Sequence, residues 1–358
     1  MEIRFNNEIK IWERLIGKWH PALFIADVWA NFDGSLKKAK ELALACKEAW
    51  ADVFKIQSFL APKIVSWKWF ASMQLKWVHG SWNKPVDEVF KAAEFPRERH
   101  AEIMDYCNSI GILFTSSPYD YEAVDLLDSI NVPFFKIWSW DITRLEMLEY
   151  IAKKNKPVIL ATWASTLSEV DEAIHTIEST WNKDIVLLQC ITNYPSKPES
   201  ANINVLKTYQ VAFNILTWYS DHSPWDTVIL WAVALWANVI EKHFTLDKSS
   251  AWPDHPHSMD PKEFKEMVQR TRVLEKALGS TRKFVVEEES ETVIVQRRWL
   301  YATRDINVWE DIKKEDIIEL RPALGISPKH KKDIIGCIVK KTIKEWEPIY
   351  WENINYNK

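Results

Sequence analysis

Short apolar runs alternate with helical patterns through most of the chain, and this alternation most constrains its fold. The helical patterns at 36–49, 167–179 and 261–278 separate runs that are short enough to be buried strands. A β/α alternation is typical of a parallel sheet, and eight repeats predict a (β/α)8 TIM barrel. The predicted strands are 24–28, 52–57, 113–117, 134–137, 157–162, 185–190, 215–220 and 239–245.

The alternation ends after Gly279, and the remainder of the chain predicts a second domain. We expect a barrel domain with an N-terminal arm over 1–280, a linker over 281–297 and a mostly β domain over 298–355. A domain of about sixty residues is marginal alone and gains stability by docking on a partner. The fold class is therefore α/β, a barrel followed by a small β domain.

Charge and hydropathy exclude several classes of protein. The formal net charge of −4 over 358 residues gives no indication of nucleic-acid binding. The sequence has no apolar run of 18 residues, and charged residues stand where a signal peptide needs an apolar core. We expect a soluble cytoplasmic protein without a membrane partner.

Tryptophan and glycine occur in abnormal numbers, with 21 Trp and only 7 Gly. Glycine usually makes up about 7% of a chain. Trp50 and Trp236 each follow a helical pattern and precede a strand, where a left-handed glycine is usual. Trp309 and Trp346 occupy tips of polar turns. Others crowd strand ends, where a backbone must approach a ligand closely: Trp29, Trp138, Trp140, Trp163 and Trp218.

These positions lead to the hypothesis that 19 of the 21 tryptophans stand for glycine, Trp82 and Trp351 being the exceptions. The simplest cause is a UGA codon that the source organism reads as glycine and that is translated here as tryptophan. The alternatives are a tryptophan-rich core and aromatic platforms that stack on sugars. Under the hypothesis the glycine content becomes ordinary.

His222 and His243 each close an apolar run, and the helical pattern 226–236 lies between them. Consecutive parallel strands place both imidazoles at the same end of the sheet, where barrels perform their chemistry. Two histidines with nearby carboxylates suit a divalent ion with open coordination positions. Satisfied core histidines are the alternative interpretation.

Lys55 and Lys136 lie inside otherwise apolar strands. A buried ammonium is costly unless it meets an anion, so the two lysines predict a phosphate or carboxylate ligand. Salt bridges to acidic residues within the barrel are the alternative.

Motifs throughout the chain resemble the sialic acid synthase family once the suspect tryptophans are read as glycine. That family condenses phosphoenolpyruvate with an N-acetylated hexosamine. The resemblance implies a barrel, a C-terminal antifreeze-like (SAF) domain and a domain-swapped homodimer in which that domain caps the partner's active site. The motifs are IADVWANFDGS, DVFKIQSF, FFKIWSWDIT, PVILATWAST, QCITNYP, TWYSDHSPW, ANVIEKHFTLDK, WPDHPHSMDP, RRWLYATRDI and LRPALGISP.

The resemblance also implies roles for individual residues. His222 and His243 would bind a divalent metal, Mn2+ with Mg2+ or Co2+ as alternatives, that polarises the sugar aldehyde. The residues implied in catalysis are Asp27, Lys55, Lys136 and Asp141. Those implied in substrate binding are Gln57, Ser117, Ser139, Thr162, Tyr194, Ser220, Asp254 and, reaching the acyl amide from the other protomer, Arg321.

The sequence departs from the family pattern at two places. Asp27 stands where the family usually has glutamate, one methylene longer. Ala161 stands where many members have a serine near the phosphate, so Thr162 would have to supply that hydrogen bond. Neither departure removes the lysines or the histidines.

The function implied is synthesis of a nine-carbon sialic-type acid. The segment KIWSWD, read as KIGSGD, favours the N-acetylneuraminate and legionaminate branches over the pseudaminate branch. Another synthase joining phosphoenolpyruvate to an aldose is a second reading that leaves the C-terminal domain unexplained. A catalytically silent sugar-binding or assembly protein is a third, if the tryptophans are real.

Overall fold

A computed structural model describes residues 5–29, 31–66, 86–191, 193–250 and 254–356. The chain divides into two compact units, Met1–Gly279 and Ser280–Lys358. Trp82 and Trp252, both important to the glycine hypothesis, lie outside the described residues. No helix in the described ranges is both long and apolar enough to cross a bilayer.

The first unit is a parallel barrel preceded by a hairpin, which confirms the predicted fold class. The hairpin strands are β1 (Glu8–Ile11) and β2 (Arg14–Gly17). The barrel strands are β3 (Leu23–Asp27), β4 (Val53–Ser58), β5 (Leu113–Pro118), β6 (Phe135–Ile137), β7 (Val158–Ala161), β8 (Ile185–Gln189), β9 (Leu216–Asp221) and β10 (Ala237–His243).

The barrel strands are hydrogen-bonded in the order β5-β4-β3-β10-β9-β8-β7-β6. The two end strands, β5 and β6, lie beside each other, and the Thr115 hydroxyl donates a hydrogen bond to the Phe134 carbonyl over 2.9 Å. All pairings within this sheet are parallel. Their carboxyl ends therefore meet on one face.

Alternate residues of each strand point inward and outward, as the pleat requires. Ile25, Ile159 and Val186 belong to the interior cluster, which also receives Ile9 and Ile11 from the hairpin. Neighbours in the same strands pack outward against the helices. The described helices of the first unit are Leu36–Glu48, Ala61–Ile64, Val86–Ala93, His100–Ile110, Tyr121–Ser129, Leu145–Ala152, Leu167–Glu178, Val205–Phe213, Thr227–Ala234 and Pro261–Leu278.

Helix caps explain several of the boundaries. Thr166 and Asp260 each form a capping box, with Glu169 and Glu263 respectively, at the start of a helix. Such reciprocal side-chain bonds satisfy the free N–H groups of the first turn. Helix His100–Ile110 ends at Gly111, whose φ is 73°.

Among the described tryptophans, six have the left-handed backbone angles that favour glycine. The angle costs a residue with a β-carbon about 1–2 kcal/mol. Trp50 and Trp236 follow helices, as Gly111 does, with φ of 67° and 70°. The others are Trp12 (55°), Trp181 (68°), Trp309 (74°) and Trp346 (64°).

The second unit is a small β domain with an aliphatic core. Its strands are β11 (Trp299–Ala302), β12 (Ile317–Leu320), β13 (Ile338–Val339) and β14 (Ile354–Asn355), paired antiparallel as β11 with β12 and β13 with β14. The core is mainly isoleucine, including Ile306, Ile312 and Ile343. Helix Lys331–Ile334 packs there as well. The expected linker contains a helix, Ser290–Gln296.

Candidate active site

Buried charges of both signs meet inside the carboxyl-terminal half of the barrel. Lys55 on β4 lies 2.6 Å from the Asp27 carboxylate at the end of β3 (Nζ to Oδ2) and 3.6 Å from Glu241 on β10 (Nζ to Oε2). Lys136 on β6 lies 3.2 Å from Glu241 Oε1, which also accepts a hydrogen bond from Ser220. All five side chains are buried. Both lysines therefore have carboxylate partners, the salt-bridge alternative noted above.

Each ammonium has three donors, so these pairings leave capacity for an anionic ligand. Burial disfavours the charged form of Glu241, but Lys136 and Lys55 outweigh it and hold its pKa at about 2. Burial would lower the pKa of Lys55, yet the charges of Asp27 and Glu241 raise it above its ordinary value. Lys55 and Glu241 are thus ionised at neutral pH.

Glu241 is recognisable in the sequence as a polar residue at a strand end, but neither the spacing nor the resemblance assigned it a role. Glu241 precedes His243 by two residues in the same strand, and residues two apart in a strand share a face. If the His243 side chain points into the barrel mouth, the Glu241 side chain must point into the barrel as well.

His222 follows β9 and is held in one tautomer. Its Nδ1–H donates to the Ile191 carbonyl over 2.6 Å, leaving Nε2 as the basic nitrogen. Burial, and then the neighbouring His243, lower the pKa of His222 well below its ordinary value. A neutral, oriented imidazole is the form that binds metals. The rings of His222 and His243 have centroids 5.3 Å apart.

His243 at the end of β10 lies against a second cluster of metal-binding groups. Its Nδ1 is 3.1 Å from Asp254 Oδ2, and His257 Nε2 is 3.4 Å from Asp254 Oδ1. Burial would lower the pKa of His243, but Asp254 outweighs it and raises that pKa. Burial lowers the pKa of His257 to about 4. One ligand atom from each of the three side chains lies within 4.8 Å of the others.

The donor types around His243 fit a borderline divalent ion, since imidazole and carboxylate together suit manganese, zinc or cobalt. His257 was missed by the sequence analysis because it lies in an irregular segment, beyond any strand periodicity. The short 3-10 helix His255–His257 positions it.

Four of the expected substrate-binding or catalytic residues lie close to the charged groups or the mouth but already have partners. Gln57 Oε1 accepts from the Tyr119 hydroxyl over 2.6 Å. Asp141 accepts from Arg144 over 2.8 Å, although burial raises its pKa. Ser139 Oγ accepts from the backbone N–H of Trp163 over 3.0 Å. The Tyr194 ring stacks 4.2 Å from that of His222.

Two further serine and threonine side chains differ in their environment. The buried Ser117 Oγ has no hydrogen-bond partner among the described residues. Thr162 Oγ1 instead contacts the Leu188 carbonyl at 2.9 Å and the Tyr209 hydroxyl at 2.8 Å. Tyr209 belongs to a helix of the outer layer, so this hydroxyl is engaged on the helix side of the sheet. Arg321 belongs to the second unit, where it is exposed directly after β12.

Three indoles cluster at the mouth beside the histidines. Trp138 stacks on Trp140 at 4.8 Å, and Trp163 lies 5.6 Å and 5.5 Å from them. Trp163 also lies 6.3 Å from His222, centroid to centroid. A large apolar volume therefore fills the space next to the candidate metal ligands.

The indole N–H groups of buried tryptophans usually have a hydrogen-bond partner. Within the described part of the chain, those of Trp29, Trp163 and Trp218 have none. Trp218 is completely buried inside the barrel. These sites accommodate an indole poorly.

Comparison with known proteins identifies both units. Residues 42–283 match the NeuB family, and residues 297–355 match the SAF domain. An N,N'-diacetyllegionaminic acid synthase of Legionella pneumophila is 36% identical over 92% of this chain and 94% of its own. The uncharacterized protein MJ1065 of Methanocaldococcus jannaschii is 39% identical over 97% and 98%.

The fold also matches a solved structure. The N-acetylneuraminic acid synthetase of Leptospira borgpetersenii, in complex with citrate, superposes with a TM-score of 0.73 at 27% identity, covering 81% of this chain and 96% of its own. The family resemblance seen in the motifs is therefore confirmed, and the relatives named as synthases are enzymes.

Proposed function

This chain belongs to the NeuB family and ends in a SAF domain, and from that premise we propose that it condenses phosphoenolpyruvate with an N-acetylhexosamine. The products are a nine-carbon sialic-type acid and phosphate. The observation that carries the proposal is the buried pair of lysines, Lys55 and Lys136, beside the histidine cluster at one end of the barrel. Two buried ammonium groups next to a cluster of metal-binding side chains suit an anionic enol substrate and a neutral carbonyl acceptor.

The lysines bind the anionic groups of phosphoenolpyruvate. Lys55 and Lys136 reach into the barrel from strands on opposite sides of the gap in the hydrogen-bond ladder, and Glu241 keeps both fixed. Ser220, which donates to the Glu241 carboxylate, adds a hydroxyl group beside them, and the family resemblance assigns Ser139 to the same ligand. Because these groups are already in place, they need little reorganisation when the substrate binds.

His222 and His243 would hold the divalent metal, whose chemistry when bound is to polarise the acceptor aldehyde. Because the Asp254 carboxylate lies 3.1 Å from His243 Nδ1, we assign it to the metal and not, as the resemblance implied, to the sugar. The enol carbon attacks the aldehyde carbon, forming the new C–C bond. Water then adds to the resulting oxocarbenium carbon, and phosphate leaves with cleavage of the C–O bond. Asp27 Oδ2 is 2.6 Å from Lys55 Nζ and 4.0 Å from His243 Nε2, so we assign it the proton of the attacking water.

The acceptor we favour is a 2,4-diacetamido-6-deoxy sugar or N-acetylmannosamine. The similarity to the legionaminic acid synthase supports it, as does the segment KIWSWD read with glycines. The physiological assembly we propose is a domain-swapped homodimer in the cytoplasm, in which Arg321 of the partner subunit contacts the acyl amide.

A catalytically silent protein is the second candidate, and one observation favours it for the chain with tryptophan. The stack of Trp138, Trp140 and Trp163 occupies the mouth where the acceptor would enter. A synthase acting on other aldoses does not account for the SAF domain.

Phosphate release tests the proposal. Two proteins are compared: the chain with tryptophan, and a version with glycine at the 19 suspect positions. Each is incubated with Mn2+, phosphoenolpyruvate and a panel of acceptors, and the products are identified by mass spectrometry. We expect the glycine version to release phosphate only with an N-acetylated acceptor. Lys136→Met, which removes the ammonium, is the negative control. A folded glycine version that is inactive with every acceptor contradicts the proposed function.

A further inference from the structure

We propose that His257 is an additional protein ligand of the divalent ion, bound together with His243 and Asp254. The assignment rests on the proposed function for the presence of the metal. It adds a donor that neither the motifs nor the spacing of His222 and His243 indicated.

Unpaired polar atoms converge at this point. Among the described residues, His243 Nδ1, Asp254 Oδ2 and His257 Nε2 have no aligned hydrogen bond, although the side chains are buried and only 3.1 to 3.4 Å separates the paired atoms. Leaving one buried polar atom without a partner costs about 1–3 kcal/mol. A shared cation satisfies all three at once.

Backbone contacts hold the segment of His257 against the strand that carries His243. The Met259 N–H donates to the His243 carbonyl over 2.8 Å, and Thr245 N–H donates to the Met259 carbonyl over 3.0 Å. Asn31 bridges the same two segments, donating to the Phe244 carbonyl and to Ser258 Oγ. His257 is therefore fixed next to His243, and no loop closure is needed to bring it there.

The neighbouring His255 faces elsewhere and provides a matched control. Its Nδ1 contacts Thr245 Oγ1 at 2.6 Å and its Nε2 contacts Asp33 Oδ1 at 3.5 Å. Both nitrogens of His255 are thus occupied, while His257, two residues along the same 3-10 helix, directs Nε2 to the Asp254 carboxylate.

Cobalt binding to the metal-free full-length protein tests the assignment without any turnover. Titration calorimetry gives the affinity, and the visible Co2+ bands report the number of nitrogen donors. His257→Ala should weaken binding by at least about 10–100-fold, because loss of a residue that only hydrogen-bonds to a metal ligand already has an effect of that size. The substitution should also shift the bands. His255→Asn should do neither. Should His257→Ala be poorly folded, by circular dichroism, His257→Asn is used instead.

An unchanged affinity and spectrum in the His257 variant overturns the ligand assignment, whatever the enzyme's activity. A shifted spectrum, together with a folded glycine version that never releases phosphate, supports the ligand and contradicts the proposed function. The two failures are thereby distinguishable.

The backbone angles carry a second proposal independently. We infer that glycine is the residue that Trp181 and Trp309 replace, together with the other four tryptophans of positive φ. Trp181 and Trp309 are 87% and 79% exposed, so their indoles contribute little packing to offset the left-handed angle. Nothing in a tryptophan side chain favours that angle.

Stability of single variants tests this inference. Replacing tryptophan by glycine normally destabilises a protein through lost packing and gained chain entropy. Trp309→Gly should instead raise Tm by about 2–4 °C, because relief of the φ penalty dominates. Trp351→Gly in the same unit is the control; Trp351 has no positive φ and packs on His330 and Tyr356.

We expect the control to lower Tm. A fall in Tm for both variants overturns the inference. Sequencing the gene gives an independent reading, since UGG codons at Trp181 and Trp309 would also contradict it, whereas UGA codons support it.

Discussion

Lys136 Nζ lies 3.2 Å from Glu241 Oε1 in the interior of the barrel, and neither side chain reaches solvent. Glu241 therefore holds the Lys136 ammonium in place. The proposed chemistry uses the remaining N–H donors of that ammonium to bind phosphoenolpyruvate. Removing one partner of such a pair leaves an uncompensated buried charge.

Glu241→Gln should accordingly lower the free energy of unfolding by about 3–5 kcal/mol, measured by urea denaturation. Gln keeps the volume and can still accept from Ser220, so the loss reports the charge. Glu172→Gln, at an exposed position of helix Leu167–Glu178, should change the free energy of unfolding by less than about 0.5 kcal/mol. Equal effects of the two substitutions would show that the buried charge contributes nothing.

His100 should make the protein less stable as the pH falls below neutrality. It is buried, with Nε2 against Ser58 Oγ and Nδ1 facing the carbonyls of Pro96 and Arg97, and burial lowers its pKa to about 4. In the unfolded chain, His100 binds a proton near pH 6.5. In the folded protein, it binds that proton only near pH 4. Stability is thus lost as the pH falls from about 6.5 to 4.

The predicted loss at His100 is at most about 3 kcal/mol over that window. Urea unfolding at pH 7.5, 5.5 and 4.5 measures it, and His100→Gln should flatten the slope. His175→Gln, on an exposed part of a helix, is the matched control and should leave the slope unchanged. An unaltered slope in the His100 variant would exclude it as the titrating group.

The barrel could be predicted closely because its strands are short buried runs with clear helical segments between them. Helix 261–278 was predicted with the boundaries that the structure has, where Asp260 caps its start. Strand 157–162 was predicted slightly long at both ends, since hydrophobicity alone does not mark the last hydrogen bond of a ladder.

The site was less accessible to sequence reasoning. Lys55, His222 and His243 were found because polar residues inside apolar runs are conspicuous. Thr162 was assigned to the ligand, but the pleat that turns Ala161 inward turns Thr162 toward the helices. The position of His257 depends on how an irregular segment returns to the strand end, which no periodicity reports.

Metal removal should abolish activity of the glycine version and leave its fold intact. His222, His243 and Asp254 come from separate segments that are already held by the barrel, so the ion contributes little to folding. We expect EDTA to stop phosphate release, Mn2+ to restore it, and far-UV circular dichroism to remain unchanged. Phosphate release that persists after dialysis against EDTA would exclude a metal role.

Asp27 provides a sharper test of the mechanism because substitution can separate its charge from its shape. Asp27→Asn keeps the size but cannot take a proton, so we expect kcat to fall by about 10²–10⁴-fold, the usual contribution of a general base. KM for phosphoenolpyruvate should change little, since Lys55 and Lys136 both remain. Asp27→Glu, the residue usual in the family, should retain most of the activity.

A structural role for Asp27 would give a different pattern. Because its carboxylate lies 2.6 Å from Lys55 Nζ, loss of that ion pair alone would raise KM and lower Tm in the Asn variant while kcat stayed near its original value. Steady-state kinetics with thermal unfolding of the same three proteins distinguishes the two roles. If Asp27→Glu were as inactive as Asp27→Asn, the reaction would require the length of the aspartate side chain as well as its basicity.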